Sequence, residues 1–276
     1  MRIHLRATAS LVALFTLSLT GCTAPAPPST GTDHADVKPH VHAIVPAPGG
    51  DGFLLGTHDG LYTATAEGQL GARVGRDDLD AMGLTAVGGE LIASGHPGAR
   101  TPTELGEGNL GIIRSPDGGV TWEPVAFTGE KDFHALAAGP DGTLYGQATD
   151  NNVLLTSTDL GTTWTPTGAG LLVFGLAVDA TGRIVASTQQ GPQASTDGGR
   201  SFVPLPDAPT LYPIASSPDN QRLIGVDNDG TIWISTAGAT QWVNVGTVHR
   251  AAQAITVTDT GDILVVDDSG LTLLPG

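Results

Sequence analysis

The chain has 276 residues, and its 28 acidic side chains outweigh 12 basic ones to give a formal charge of −16, a balance that excludes nucleic acid and anionic lipid as electrostatic partners. Cations, sugars or basic proteins suit it better, although a solvated extracellular surface accounts for much of the acidity. A single cysteine excludes an internal disulfide framework, and the 39 glycines fall in turn contexts rather than in a phosphate-cradling loop.

In chain order, Arg2 and Arg6 are followed by an apolar run from Leu11 to Leu19 and then by the small residues Thr20 and Gly21. This is the plan of a secretory signal peptide over residues 1–21, too short to persist as a spanning helix. The segment Leu19-Thr20-Gly21-Cys22 resembles the lipobox of bacterial lipoproteins. That resemblance implies that Cys22 is acylated and becomes the new first residue, anchoring an exported chain at the outer face of the cell membrane or in the envelope. Lipidation of Cys22 leaves no thiol for a disulfide, a thiolate metal site or a cysteine nucleophile. Residues 22–39 are Pro, Thr, Ser, Ala and Asp with almost no large apolar side chain, the composition of a flexible stalk. Residues 40–276 form the folded body, expected as one domain and as a monomer.

Internal repeats decide the fold of that body. Three segments align without gaps: Ser115-Pro116-Asp117-Gly118-Gly119-Val120-Thr121-Trp122, Ser157-Thr158-Asp159-Leu160-Gly161-Thr162-Thr163-Trp164 and Ser195-Thr196-Asp197-Gly198-Gly199-Arg200-Ser201-Phe202. A fourth, Ser235 to Trp242, keeps the frame but carries Ala237 where the others have Asp. Their starts lie 42, 38 and 40 residues apart. In such a segment Asp accepts backbone N–H groups across a tight hairpin turn, Gly takes positive φ, and the aromatic packs between neighbouring sheets. The Ser, Asp, Gly and aromatic residues are therefore expected to be structural, with each Asp a buried turn acceptor, and not catalytic.

Strands read outward from these turns give repeats of four. In the third unit they are His134–Ala138, Thr143–Gly146, Val153–Thr156 and Thr163–Pro166, and the same frame fits 44–74, 83–125, 174–203, 213–245 and 254–274. The expected fold is an all-β, six-bladed β-propeller. Its last blade is either incomplete or closed by an N-terminal strand, since the sequence stops after the third strand of the sixth repeat.

In a four-stranded blade the connections into strand A and the loops between strands B and C share one face. Aligning strand A on Ile44, Leu84, Leu136, Leu176, Ile214 and Ile255 puts His42, Met82, His134, Phe174, Tyr212 and Gln253 around the mouth of the central channel. The B–C loops add His58 and His96. Imidazole and thioether donors from His42, His58, His96, His134 and Met82 converge in blades 1 to 3, a set suited to copper first and zinc second. The long insertion between Pro97 and Asn109 reads either as a lid over the mouth or as a disordered surface loop.

The repeated turns resemble the Asp-box (BNR) repeat of sialidases and related propellers. The phrases His40-Val41-His42-Ala43, Thr57-His58-Asp59-Gly60, Ser94-Gly95-His96-Pro97 and Asp132-Phe133-His134-Ala135 are similar to a group of exported sialidase-like glycosyl hydrolases. The resemblance implies a propeller and a glycan ligand. A sialidase, however, clamps its substrate with three arginines and uses a Tyr nucleophile with a Glu partner. Here no arginine occupies the six mouth positions, and Tyr212 has only the amide of Gln253 on the ring. Three functions follow as expectations: a membrane-anchored propeller that binds a small ligand or metal ion at its His-lined mouth, a sialidase-like hydrolase, or an envelope scaffold for a protein partner.

Overall fold

The computed structural model describes residues 40–50 and 52–276. The leader, Cys22 and the stalk lie outside the described residues.

Among the described residues there are 23 β-strands and a single short 3₁₀ turn, arranged as six antiparallel sheets in sequence order. Blade 1 is β1 (Val41–Pro46), β2 (Phe53–Thr57), β3 (Gly60–Ala64) and β4 (Leu70–Val74). Blade 2 is β5 (Asp80–Val87), β6 (Glu90–His96), β7 (Ile112–Ser115) and β8 (Glu123–Ala126). Blade 3 is β9 (Phe133–Ala138), β10 (Leu144–Ala148), β11 (Val153–Ser157) and β12 (Thr165–Gly170). Blade 4 is β13 (Val173–Val178), β14 (Ile184–Thr188), β15 (Gln193–Ser195) and β16 (Val203–Pro204). Blade 5 is β17 (Leu211–Ser216), β18 (Arg222–Asp227), β19 (Thr231–Thr236) and β20 (Val243–Thr247). Blade 6 has three strands, β21 (Ala252–Val257), β22 (Ile263–Asp267) and β23 (Gly270–Leu274). Among the described residues blade 6 is incomplete, and the stalk, the alternative source of a closing strand, lies outside them.

Burial follows the layering. The second strands β2, β10 and β14 are buried at every position because both of their faces meet a neighbouring blade, whereas the outermost strands β4, β8 and β16 carry no fully buried residue. Six apolar clusters fill the six gaps between blades. Val45, Leu54 and Leu61 meet Leu84, Leu91 and Ile113 between blades 1 and 2, and the series ends with Ile44, Phe53 and Leu55 against Ala254, Leu264 and Val266 between blades 1 and 6. The last gap closes the ring. A side-chain clasp crosses it: the Val41 N–H donates to Gln253 Oε1 at 2.9 Å.

The repeated turns follow one plan. Ser157 Oγ accepts the Gly161 N–H at 3.0 Å and donates to Asp159 Oδ1 at 2.8 Å, while Asp159 accepts the Thr163 N–H at 2.8 Å and its hydroxyl at 2.6 Å. Ser115 with Asp117, and Ser195 with Asp197, repeat the pattern, and Gly119, Gly161 and Gly199 all take positive φ. Trp122, Trp164 and Phe202 each pack, partly buried, on the cluster shared with the preceding blade. Two details differ from expectation. The buried acceptor is the serine, not the aspartate, since Asp159 is exposed and Ser157 is 2% exposed. The fourth strand of blade 3 also begins at Thr165, two residues late, because Thr163 and Trp164 still belong to the turn.

Asp159 is held at a pKa of about 2, chiefly by the Thr163 hydroxyl and N–H. Its folded value lies below the ordinary carboxylate value of about 3.9, so it stabilises the fold above that pH and loses the contribution as pH falls towards about 2. Asp159→Asn, which keeps one acceptor oxygen without the charge, should melt below the native chain at pH 6, with the gap closing between about pH 4 and pH 2. Melting curves across that range check it, and a gap constant with pH would contradict it.

The insertion Pro97–Asn109 is folded. It contains the 3₁₀ turn Thr103–Leu105, buries Leu105 and is followed directly by the buried Leu110, and ties Arg100 N–H to Asp78 Oδ1 at 2.7 Å. None of its residues lines the channel cavity, so it is neither a lid nor a disordered loop.

Candidate functional site

The first strands of the blades surround a cavity of about 1120 Å³. Its lining includes all six mouth positions, His42, Met82, His134, Phe174, Tyr212 and Gln253, and among the described residues contains no arginine or lysine. Phe174 and Tyr212 are 46% and 58% exposed, which makes the blade 4–5 side of the mouth apolar and aromatic.

The blade 1–3 side carries the histidines, and the structure gathers them in two groups, each around an aspartate. In the first, His42 Nε2 lies 3.3 Å from His58 Nδ1 and 3.4 Å from Asp80 Oδ1, and His58 Nδ1 lies 2.8 Å from Asp80 Oδ2. The His40 ring stands beside them, 4.9 Å from that of His42 and 5.5 Å from that of His58. In the second, Asp132 Oδ2 sits 2.6 Å from His134 Nε2 and 3.4 Å from His96 Nε2. His96 Nδ1 lies 2.9 Å from the Gly108 carbonyl, which can only accept. That contact places a proton on Nδ1 and turns Nε2 towards Asp132.

Local sequence explains the placement. Asp80 opens β5 and Asp132 directly precedes β9, whereas His58 directly follows β2 and His96 ends β6. Gly95 takes φ +142°, and a Cβ there would overlap the Asp80 carbonyl, so this glycine lets β5 and β6 meet tightly where they carry Asp80 and His96.

Burial, then the neighbouring His42 and His58, lower the His40 pKa. Burial pushes the Asp80 carboxyl up, but its contacts with His42 and His58 outweigh this and leave it below the ordinary range. Two oxygens in these groups, Asp80 Oδ1 and Asp132 Oδ1, are buried and accept no hydrogen bond.

The aspartates were missed in the sequence reading although the repeat frame marks them. Both lie four residues before the aligned strand-A residue, in consecutive blades. Asp59, next to His58 in the same loop, is engaged by Arg73 at 3.0 Å.

No protein-family model matches the chain, and no curated protein matches it. Solved structures are similar in fold. A gluconolactonase from Xanthomonas campestris matches with a TM-score of 0.64 at 13% identity, over 86% of each chain. An ancestral GH74 enzyme matches with a TM-score of 0.53 at 15% identity, over 83% of this chain and 35% of that one. The extracellular domain of a hybrid two-component system from B. thetaiotaomicron matches with a TM-score of 0.56 at 14% identity, over 86% of this chain and 32% of that one. The chain thus spans about a third of the latter two, and at these identities the likeness shows the fold alone.

Proposed function

We propose that this chain is an exported, lipid-anchored propeller that binds a transition-metal ion at the mouth of its channel. The observation that carries the reading is Asp132. This carboxylate is 7% exposed, holds one oxygen against two imidazole nitrogens and leaves the other buried without a partner. A buried carboxylate with an oxygen that accepts no hydrogen bond is costly, and a cation held on its other oxygen offsets part of that cost by neutralising the charge. The donor geometry supports the reading. Zinc bonds of 2.0–2.1 Å in a tetrahedron give ligand–ligand edges of about 3.3 Å; the 3.3 and 3.4 Å separations around His42 and His96 match that edge, whereas His58–Asp80 at 2.8 Å and His134–Asp132 at 2.6 Å are hydrogen-bond distances that must widen when an ion enters. Imidazole with carboxylate moves zinc ahead of copper, the reverse of the order drawn from imidazole and thioether alone.

Zinc at about 100 times its Kd should stabilise the fold by about 2.7 kcal/mol, a rise of roughly 5–10 °C in melting temperature for a body of this size. Asp132→Asn with His134→Ala should remove at least half of that rise. No rise beyond that of a His-free control chain would reject the reading.

The anchor rests on Leu19 to Cys22. Cys22→Ser should shift the chain from the membrane to the soluble fraction and end labelling by fatty acid. Unchanged fractionation with unchanged labelling would remove the anchor from the reading.

A glycan ligand is the second reading, supported by the exposed faces of Phe174 and Tyr212 in the cavity and by the resemblance of the Ser-x-Asp-x-Gly turns to Asp-box propellers. Turnover of a fluorogenic sialoside, abolished by Tyr212→Phe, would favour it over metal binding.

A further inference from the structure

We infer that the mouth holds two separate metal sites of different kinds: a closed one between blades 1 and 2, and one between blades 2 and 3 with a position open to exchange from the cavity. This rests on the metal reading above and goes beyond it in number, ligand count and accessibility.

The repeat frame separates the sites. His58 and His96 each stand three residues after the strand-B partner of the aligned strand-A residue, given by the pairs Ile44–Leu55 and Leu84–Ala93. Asp80 and Asp132 each stand four residues before the aligned residue of the following blade. The pair His58–Asp80 is therefore repeated, one blade on, as His96–Asp132. No residue belongs to both groups, so an ion in one is displaced from an ion in the other by one blade. At the next three boundaries the same two positions hold Thr149 with Leu172, Gln189 with Thr210, and Asn228 with Ala251, which offer no His or carboxylate pair. At the boundary of blades 6 and 1 they hold Asp268 and His40, and Asp268 is near enough to act on the His40 imidazole.

Ligand count distinguishes the two. The first group has His42, His58 and Asp80, and the exposed His40 ring, stacked 5.5 Å from His58, stands where a side-chain rotation would bring in a fourth donor. Four protein ligands fill a tetrahedron, the pattern of structural zinc. The second group has His96, His134 and Asp132 alone, and His134 lines the cavity with 44% of its side chain exposed. Three protein ligands leave a fourth corner for water or an incoming donor. Each ion would also tie one blade to the next, because the aspartate in each group comes from the following blade.

The test is a zinc and cobalt titration of the full chain in detergent. Two equivalents of zinc should bind, with Asp80→Asn and Asp132→Asn each losing one and the double variant losing both. His58→Gln and His96→Gln repeat the measurement should a carboxylate variant fail to fold. With cobalt, the Asp80→Asn chain should show a visible spectrum that changes on adding free imidazole, whereas the Asp132→Asn chain should not respond until His40→Ala is added. Loss of all metal in either single variant would show one shared site and overturn this inference while leaving metal binding intact. An equal response to imidazole in both single variants would overturn the distinction of kinds. Absence of metal in the native chain would overturn both readings together.

Discussion

Asp179→Ala should lower stability by about 3–5 kcal/mol, the cost of leaving a buried charge without its partner. Asp179 is fully buried, and its carboxylate accepts from the Thr181 N–H and hydroxyl, from the Arg183 N–H and Nε, and from the Gly238 N–H at 2.9 Å. Arg183 is 6% exposed and donates onward to the Ala239 carbonyl. Gly238 and Ala239 lie in the one repeated turn that has lost its own aspartate, so a carboxylate and guanidinium from blade 4 hold the turn of blade 5. Burial raises the Asp179 pKa, but the hydrogen bonds from Gly238 and Thr181 and the charge of Arg183 outweigh it and leave the carboxyl below its ordinary range. Thermal melts of Asp179→Ala should fall by roughly 10 °C, given about 2–4 °C per kcal/mol at this size. Asp159→Ala, at an exposed carboxylate, should fall less. A smaller drop for Asp179→Ala than for Asp159→Ala would contradict the assignment.

The second large effect is expected at Gly95. A Cβ there meets the Asp80 carbonyl as well as an unfavourable φ of +142°. Gly95→Ala should cost at least about 1–3 kcal/mol from conformation alone and displace Asp80 and His96, one ligand of each group. Zinc binding should therefore weaken in both sites of whatever fraction remains folded. Gly89 is the control: it has φ +83° and open space around its Cβ position. Gly89→Ala should destabilise yet leave zinc titration unchanged. Equal zinc affinity in the two variants would show that the tight contact of β5 with β6 does not set the site.

The number of blades and their layering were legible because the turns repeat at intervals of about 40 residues and each carries its own strand signals. The histidines were legible through the same frame. Asp80 and Asp132 were not singled out, since an Asp near the start of a strand reads as ordinary connection chemistry until its partner in the preceding blade is known. The link from Asp179 to Gly238 spans 59 residues and two blades, which no local pattern reports. The insertion after His96 was read by its glycines and acids, but Leu105 and Leu110 decide its behaviour by burying themselves against blades 1 and 2.

The clasp between Val41 and Gln253 joins residues 212 apart. Neighbouring blades meet after about 40 residues, so bringing the two ends of the ring together costs roughly 1.5 kcal/mol more in loop-closure entropy than docking one blade on the next, at about 0.6 kcal/mol for each doubling of length. Folding should then proceed as a growing crescent, with blades added by local contacts and the seam sealed last. The His96–Asp132–His134 group is complete within the crescent, whereas His40 lies at the seam beside blade 6. A metal present during folding would meet one finished site well before the other.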